Sequence, residues 1–176
     1  MKHLEIEMKT LLNKDEYQRL QDHFSGVTPI TQKNYYLDTP DFYLRQHKIA
    51  MRIRTFENSA ELTIKIPQKV GNMEYNQDLS LEEANHCLKE CKLPQGMILD
   101  ELTSRGLSTS GWVVLGCLTT VRYEKQIPIG LMALDQSQYF DIVDYELELE
   151  VEDGNQGSLD FQEFLQANEI HYKKAP

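Results

Sequence analysis

The sequence predicts a mainly β fold, an antiparallel barrel with peripheral helices, in the α+β class. Three observations predict it. Several stretches alternate polar and apolar residues with a period of two, which is the mark of a strand. Helical stretches are few, and no regular βαβ rhythm joins them, which argues against a doubly wound sheet. The polar positions of the strands carry charges of both signs. A sheet that closes on itself gathers such positions on an inner face and packs the apolar face against helices. A charged interior then needs a ligand or water inside it.

The 176 residues suit a single domain, 1–176, with a substantial core. The formal net charge of -10 opposes binding to a nucleic acid polymer, which needs a basic surface. It leaves a local anion site open. Cys87, Cys91 and Cys117 are odd in number and unlike a disulfide framework. Nothing reads as a signal peptide or a long apolar run, so a soluble cytoplasmic protein without a membrane partner is expected. A homodimer stays open.

The elements follow in order. Leu4 to Leu11 alternates Leu4, Ile6 and Met8 with Glu5, Glu7 and Lys9, a two-faced strand. Asn13 can cap a helix from Lys14 to Phe24, with Glu16 in the reciprocal position of a capping box. Lys33 to Leu37 reads as a strand. Thr39-Pro40 suits the start of a short helical turn, with Pro at the first position. Ile49 to Phe56 and Ala60 to Ile66 form a hairpin across Glu57-Asn58-Ser59, and Pro67 ends it. Gly71-Asn72 is a second turn before Met73 to Leu79. Ser80 caps a helix to Cys91, with Glu83 completing the box. A helical stretch follows from Met97 to Arg105. Trp112 to Lys125 holds one long strand, or two joined near Gly116. Gly130 precedes a strand from Leu131 to Asp135, and Asp144 to Glu152 is the acidic strand. Asp153-Gly154-Asn155 reads as a loop, and Ser158 as the cap of a last helix to Asn168.

Two charged sets stand out. Glu5, Glu7, Asp135, Glu146 and Glu148, with Glu150, can bind a divalent cation, because hard ions such as Mg2+ and Mn2+ prefer carboxylate oxygen. The alternative is a solvated face paired with lysines. Arg52, Arg54, Lys65 and Arg122 can bind phosphate, since the guanidinium fork matches phosphate oxygens and the ammonium acts as a point charge. The alternative is ion pairing across strands. Cys87 and Cys91, with His86, lack enough ligands for zinc and read as structural. Tyr35, Tyr36 and Phe42 read as core or rim aromatics. No Walker-type loop and no Ser-His-Asp or Cys-His arrangement is present.

Glu5-x-Glu7-x-Lys9 resembles the ExExK signature of the CYTH superfamily, the triphosphate tunnel metalloenzymes. The resemblance continues in order along the chain. Tyr35-Tyr36-Leu37-Asp38-Thr39 resembles the family's YYDT-like segment, Arg52-Ile53-Arg54 its RxR pair, Lys65 its following lysine and Arg122 its later arginine. Asp135 and Glu146-Leu147-Glu148 resemble its closing acidic elements, and the chain is most similar to the bacterial YjbK-like branch. The resemblance implies an eight-stranded antiparallel tunnel barrel, a divalent metal (Mg2+ or Mn2+) on the acidic set and a triphosphate small molecule on the basic set. It implies an enzyme, a triphosphatase acting on inorganic or organic triphosphate, with Lys9 and Lys65 in catalytic roles. The alternatives are a class IV-type adenylate cyclase and a non-catalytic polyphosphate or nucleotide binding module. Two departures stand out. Met73 to Leu79 offers Glu74, Asn76 and Asp78 but no arginine, and only Lys173 and Lys174 are candidates for a terminal cation.

Overall fold

Alternation along each strand sets the architecture. The computed structural model describes residues Met1–Pro176. Its strands are β1 (Lys2–Leu12), β2 (Ile30–Asp38), β3 (Ala50–Thr55), β4 (Ala60–Pro67), β5 (Asn72–Leu79), β6 (Val113–Ile127), β7 (Gly130–Tyr139) and β8 (Ile142–Val151). Its helices are α1 (Lys14–Leu20), α2 (Tyr43–Gln46), α3 (Leu81–Glu90), α4 (Met97–Ser104) and α5 (Gly154–Ala167), and a 3-10 turn over Gln21–Phe24 follows α1. The strands close into an antiparallel barrel in the order β1-β5-β4-β3-β2-β6-β7-β8. No helix is long and apolar enough to cross a membrane.

The chain folds as two compact units. The first comprises Met1–Leu4 and Gln32–Leu118, the second Glu5–Thr31 and Thr119–Pro176. In the first, the apolar face of β3, β4 and β5 (Met51, Ile53, Leu62, Ile64, Tyr75, Leu79) is buried with Ala84 and Cys87 of α3, Ile98 and Leu102 of α4, and Trp112. In the second, Met132 and Leu134 of β7 and Leu147 and Leu149 of β8 are buried with Tyr17 and Leu20 of α1 and Phe161 and Leu165 of α5. Each Leu, Ile, Met or Phe among them contributes about 1.5–3 kcal/mol through burial. Both helix-backed faces therefore leave the charged positions on the other face of the sheet.

Local chemistry fixes the helix ends. Asn13 and Ser80 each make a full capping box, with Glu16 and Glu83 returning the bond. Two expectations are corrected. Thr39-Pro40 does open a turn, in which the Phe42 N–H donates to the Thr39 carbonyl at 2.9 Å, but the helix itself begins only at Tyr43. The buried Asp38 carboxylate, several residues upstream, accepts from the backbone N–H groups of Leu44 and Arg45, so the first turn is satisfied from a distance. The last helix begins at Gly154, and its cap is Asp153, which accepts from the N–H groups of Asn155 and Gln156. Ser158 lies within that helix, as do Gly154 and Asn155 of the expected loop. It sits so close to β8 that a Cβ at Gly157 would stand 2.6 Å from a Val151 methyl. The long stretch ending near Lys125 is one strand, β6.

The C-terminal segment is tied to β1 and α1. Lys173 N–H donates to Thr10 Oγ1 at 2.9 Å, and Leu11 N–H donates to the Lys173 carbonyl at 2.9 Å. Lys173 Nζ stands 2.9 Å from Glu16 Oε1. Lys173 is thus a structural clamp on α1. Glu16 is buried, and burial alone would raise its pKa. Hydrogen bonds from the Asn13 N–H, Lys173 Nζ and the His171 N–H outweigh that and lower it. A lowered folded-state pKa adds stability above the ordinary carboxylate value, and that stability is lost as pH falls through the folded value. Glu16→Gln is expected to unfold more easily at pH 7 by roughly 1–3 kcal/mol. The gap to the unsubstituted chain should narrow as acid protonates Glu16, and denaturant titrations at pH 7 and pH 3 measure it. A gap that stays constant would contradict the clamp.

Candidate functional site

The second unit holds the carboxylates. In the β1–β8 ladder Lys9 stands opposite Glu148 and Glu7 opposite Glu150. In the β7–β8 ladder Asp135 stands opposite Glu146, and β6 sets Arg122 opposite Asp135. Directly opposite residues share a face. Glu7, Lys9, Arg122, Asp135, Glu146 and Glu148 are therefore gathered on one face, with the buried Glu5 two residues before Glu7. Asp135 is also buried.

Arg122 is the hub of this set. Its Nε and Nη2 donate to the two Asp135 oxygens at 2.8 and 2.7 Å, and Nη2 also donates to Glu148 Oε2 at 3.2 Å. Burial opposes its charge, but Asp135 above all, and then Glu148 and Glu124, hold the guanidinium above its ordinary pKa. Lys9 Nζ lies 3.6 Å from Glu7 Oε1. Burial likewise opposes the Lys9 ammonium, and Glu7, Glu146 and Glu148 together raise its pKa. Glu146 shows the opposite strain. Burial, then the hydrogen bond and charge of Glu148, push its pKa up to about 8, with Lys9 pulling it down in part. Carboxylates this close compete for compensating charge.

The first unit holds three of the four predicted cations. Arg52 and Arg54 stand on one face of β3, and Lys65 follows on β4, opposite Ala50. Arg54 Nη1 lies 4.0 Å from Glu61 Oε1, and its Nε donates to Asn34 Oδ1 at 2.6 Å. Lys65 Nζ lies 3.6 Å from Glu74 Oε2. Asn76 joins this group: Thr63 Oγ1 donates to Asn76 Oδ1 at 2.6 Å, and Asn76 Nδ2 donates to Glu74 Oε1 at 3.0 Å. The strand that lacks an arginine therefore offers a carboxylate that pairs with a neighbouring lysine, and an amide that donates to that carboxylate. Arg52 differs from the other two cations, because its Nε is buried with no hydrogen-bond partner. A buried donor left unpaired costs about 1–3 kcal/mol, and an incoming oxygen acceptor relieves that cost. Also in this unit, ligand atoms of His3 and Glu74 lie within 4.8 Å of each other.

The chain matches the CYTH domain over residues 3–176. It belongs to the CYTH family. The CYTH chain is 36% identical over 165 residues to YjbK of Bacillus subtilis (strain 168), a protein provisionally named a triphosphatase, covering 93% of this chain and 85% of that one. It is 35% identical to a crystal structure from Bacillus halodurans provisionally named an adenylate cyclase, with a TM-score of 0.92, covering 99% of this chain and 95% of that one. HpAC1 from Hippeastrum, described as having a dominant triphosphatase activity, shares the fold at 23% identity with a TM-score of 0.82, covering 98% of this chain and 91% of that one.

Each predicted site residue of the CYTH chain stands on the polar face of its strand. Sequence reasoning passed over Asn34, Glu61 and Glu124. All three lie at polar alternating positions, and that is the only signal they give. Tyr36 and Phe42 are exposed, while Tyr35 packs on the first core.

Proposed function

We propose that this CYTH chain is a metal-dependent triphosphatase. Arg52 carries the reading: a buried guanidinium Nε without a protein partner, on the same strand face as Arg54, is suited to phosphate oxygen. Arg52, Arg54 and Lys65 bind the triphosphate and neutralise charge that grows as the phosphoryl group transfers. Arg122, paired with Asp135 and Glu148, exchanges those carboxylates for phosphate oxygens.

The donor set fits a hard divalent ion. Glu5, Glu7, Asp135, Glu146 and Glu148 offer only oxygen, and Glu146 and Glu148 press on one another in a way that a cation relieves. Mg2+ or Mn2+ held there would supply charge neutralisation and an oriented water. Lys9, kept protonated by Glu7, Glu146 and Glu148, holds a phosphate oxygen or positions the attacking water. Attack forms one P–O bond to water and breaks the bridging P–O bond to the terminal phosphoryl group. The products are orthophosphate and the shortened chain.

A cyclase is the second reading, favoured by the name of the Bacillus halodurans relative. Product analysis separates the two. With inorganic triphosphate or ATP and Mg2+ or Mn2+, orthophosphate is expected. Pyrophosphate with a cyclic nucleotide from ATP, and no orthophosphate from triphosphate, would establish the cyclase instead.

A further inference from the structure

Two arginines on one strand are held in different ways. Arg54 stands directly opposite Asn34 of β2 in the antiparallel ladder, and directly opposite Glu61 of β4 on its other side. Its Nε donates to Asn34 Oδ1 at 2.6 Å, and its Nη1 lies 4.0 Å from Glu61 Oε1. Arg52 stands opposite Tyr36 and Thr63, and its buried Nε has no partner.

The guanidinium is planar and its five N–H donors are fixed relative to one another. Holding Nε fixes the plane, and the plane decides where the Nη donors point. Asn34 is well placed to hold it, because it is only 2 % exposed and cannot swing away. Its amide is also neutral. It orients the arginine without cancelling the charge that attracts an anion, as a carboxylate at the same position would.

We propose that Asn34 is a positioning residue: it sets the Arg54 guanidinium plane before substrate arrives and raises triphosphate affinity through Arg54 alone. Pre-set donors bind more tightly because less rotamer freedom is lost on binding. The inference rests on the triphosphatase reading, in which Arg54 contacts the substrate.

The test is a double-mutant cycle read by calorimetric binding of inorganic triphosphate to the full chain. Asn34→Leu keeps the bulk and removes the acceptor. It is expected to weaken binding about tenfold, the size of one charge-assisted hydrogen bond. In an Arg54→Ala background the same substitution is expected to change binding less than twofold. A general loosening of the sheet would weaken binding equally in both backgrounds, and that result would overturn the proposal. So would undiminished binding by Asn34→Leu. If Asn34→Leu does not fold, Asn34→Ala carries the same cycle. Intact binding in Arg54→Ala would remove both the substrate role of Arg54 and the role of Asn34, while leaving Arg52 and Lys65 to be judged separately. Absence of triphosphate binding by the unsubstituted chain would instead overturn the triphosphatase reading, and the Asn34 proposal with it.

Discussion

Arg52→Ala is expected to lower kcat/KM for triphosphate hydrolysis by about 10²–10³-fold, the usual range for removing one pre-set donor to developing charge. Arg52 Nε is buried and unpartnered in the protein, so the free enzyme carries a cost that substrate oxygens remove. Truncation therefore costs the complex far more than it costs the fold. The thermal midpoint of Arg52→Ala is expected to stay within a few degrees of the unsubstituted chain. Phosphate-release kinetics and a melting curve on the same preparation check both halves. A loss of less than threefold in kcat/KM would mean that Arg52 does not touch the substrate.

Leu147→Ala is expected to do the reverse. Leu147 is fully buried in the second core and sits between Glu146 and Glu148 on β8. Its side chain packs on the helix-backed face, while its two neighbours lie on the charged one. Truncating a buried leucine costs about 2–5 kcal/mol, from lost burial and the cavity left behind. Denaturant unfolding is expected to show that loss, with KM for triphosphate near its original value while the chain stays folded. Glu148→Gln, one residue away, is expected to keep the fold and lose turnover. If Leu147→Ala cost less than 1 kcal/mol, the assignment of faces along β8 would be wrong.

The fold was legible where chemistry repeats at short range. Period-two alternation marked Glu7 and Lys9, Arg52 and Arg54, and Glu146 and Glu148 as face-sharing sets, and the ladders place them so. Capping boxes at Asn13 and Ser80 were legible because donor and acceptor lie three residues apart. Two helix starts were misplaced for a related reason. α2 takes bonds to its first turn from Asp38, beyond the range of any local rule, and α5 begins at Gly154 behind its Asp153 cap, where a glycine at the first helical position disguised the signal. The ties of Asn34 to Arg54 and of Lys173 to Glu16 join residues 20 and 157 apart in sequence. Nothing in a neutral amide or a terminal lysine announces a partner that distant. The register of the closed sheet creates the first tie, and the return of the C-terminal segment to α1 creates the second.

The most direct measurement is phosphate release from inorganic triphosphate with and without Mg2+ or Mn2+, for the unsubstituted chain and for Glu5→Ala/Glu7→Ala. The central claim predicts release that requires the metal and falls to background in the double variant, with the variant still folded. Release that continues without metal, or that survives loss of both carboxylates, would contradict it.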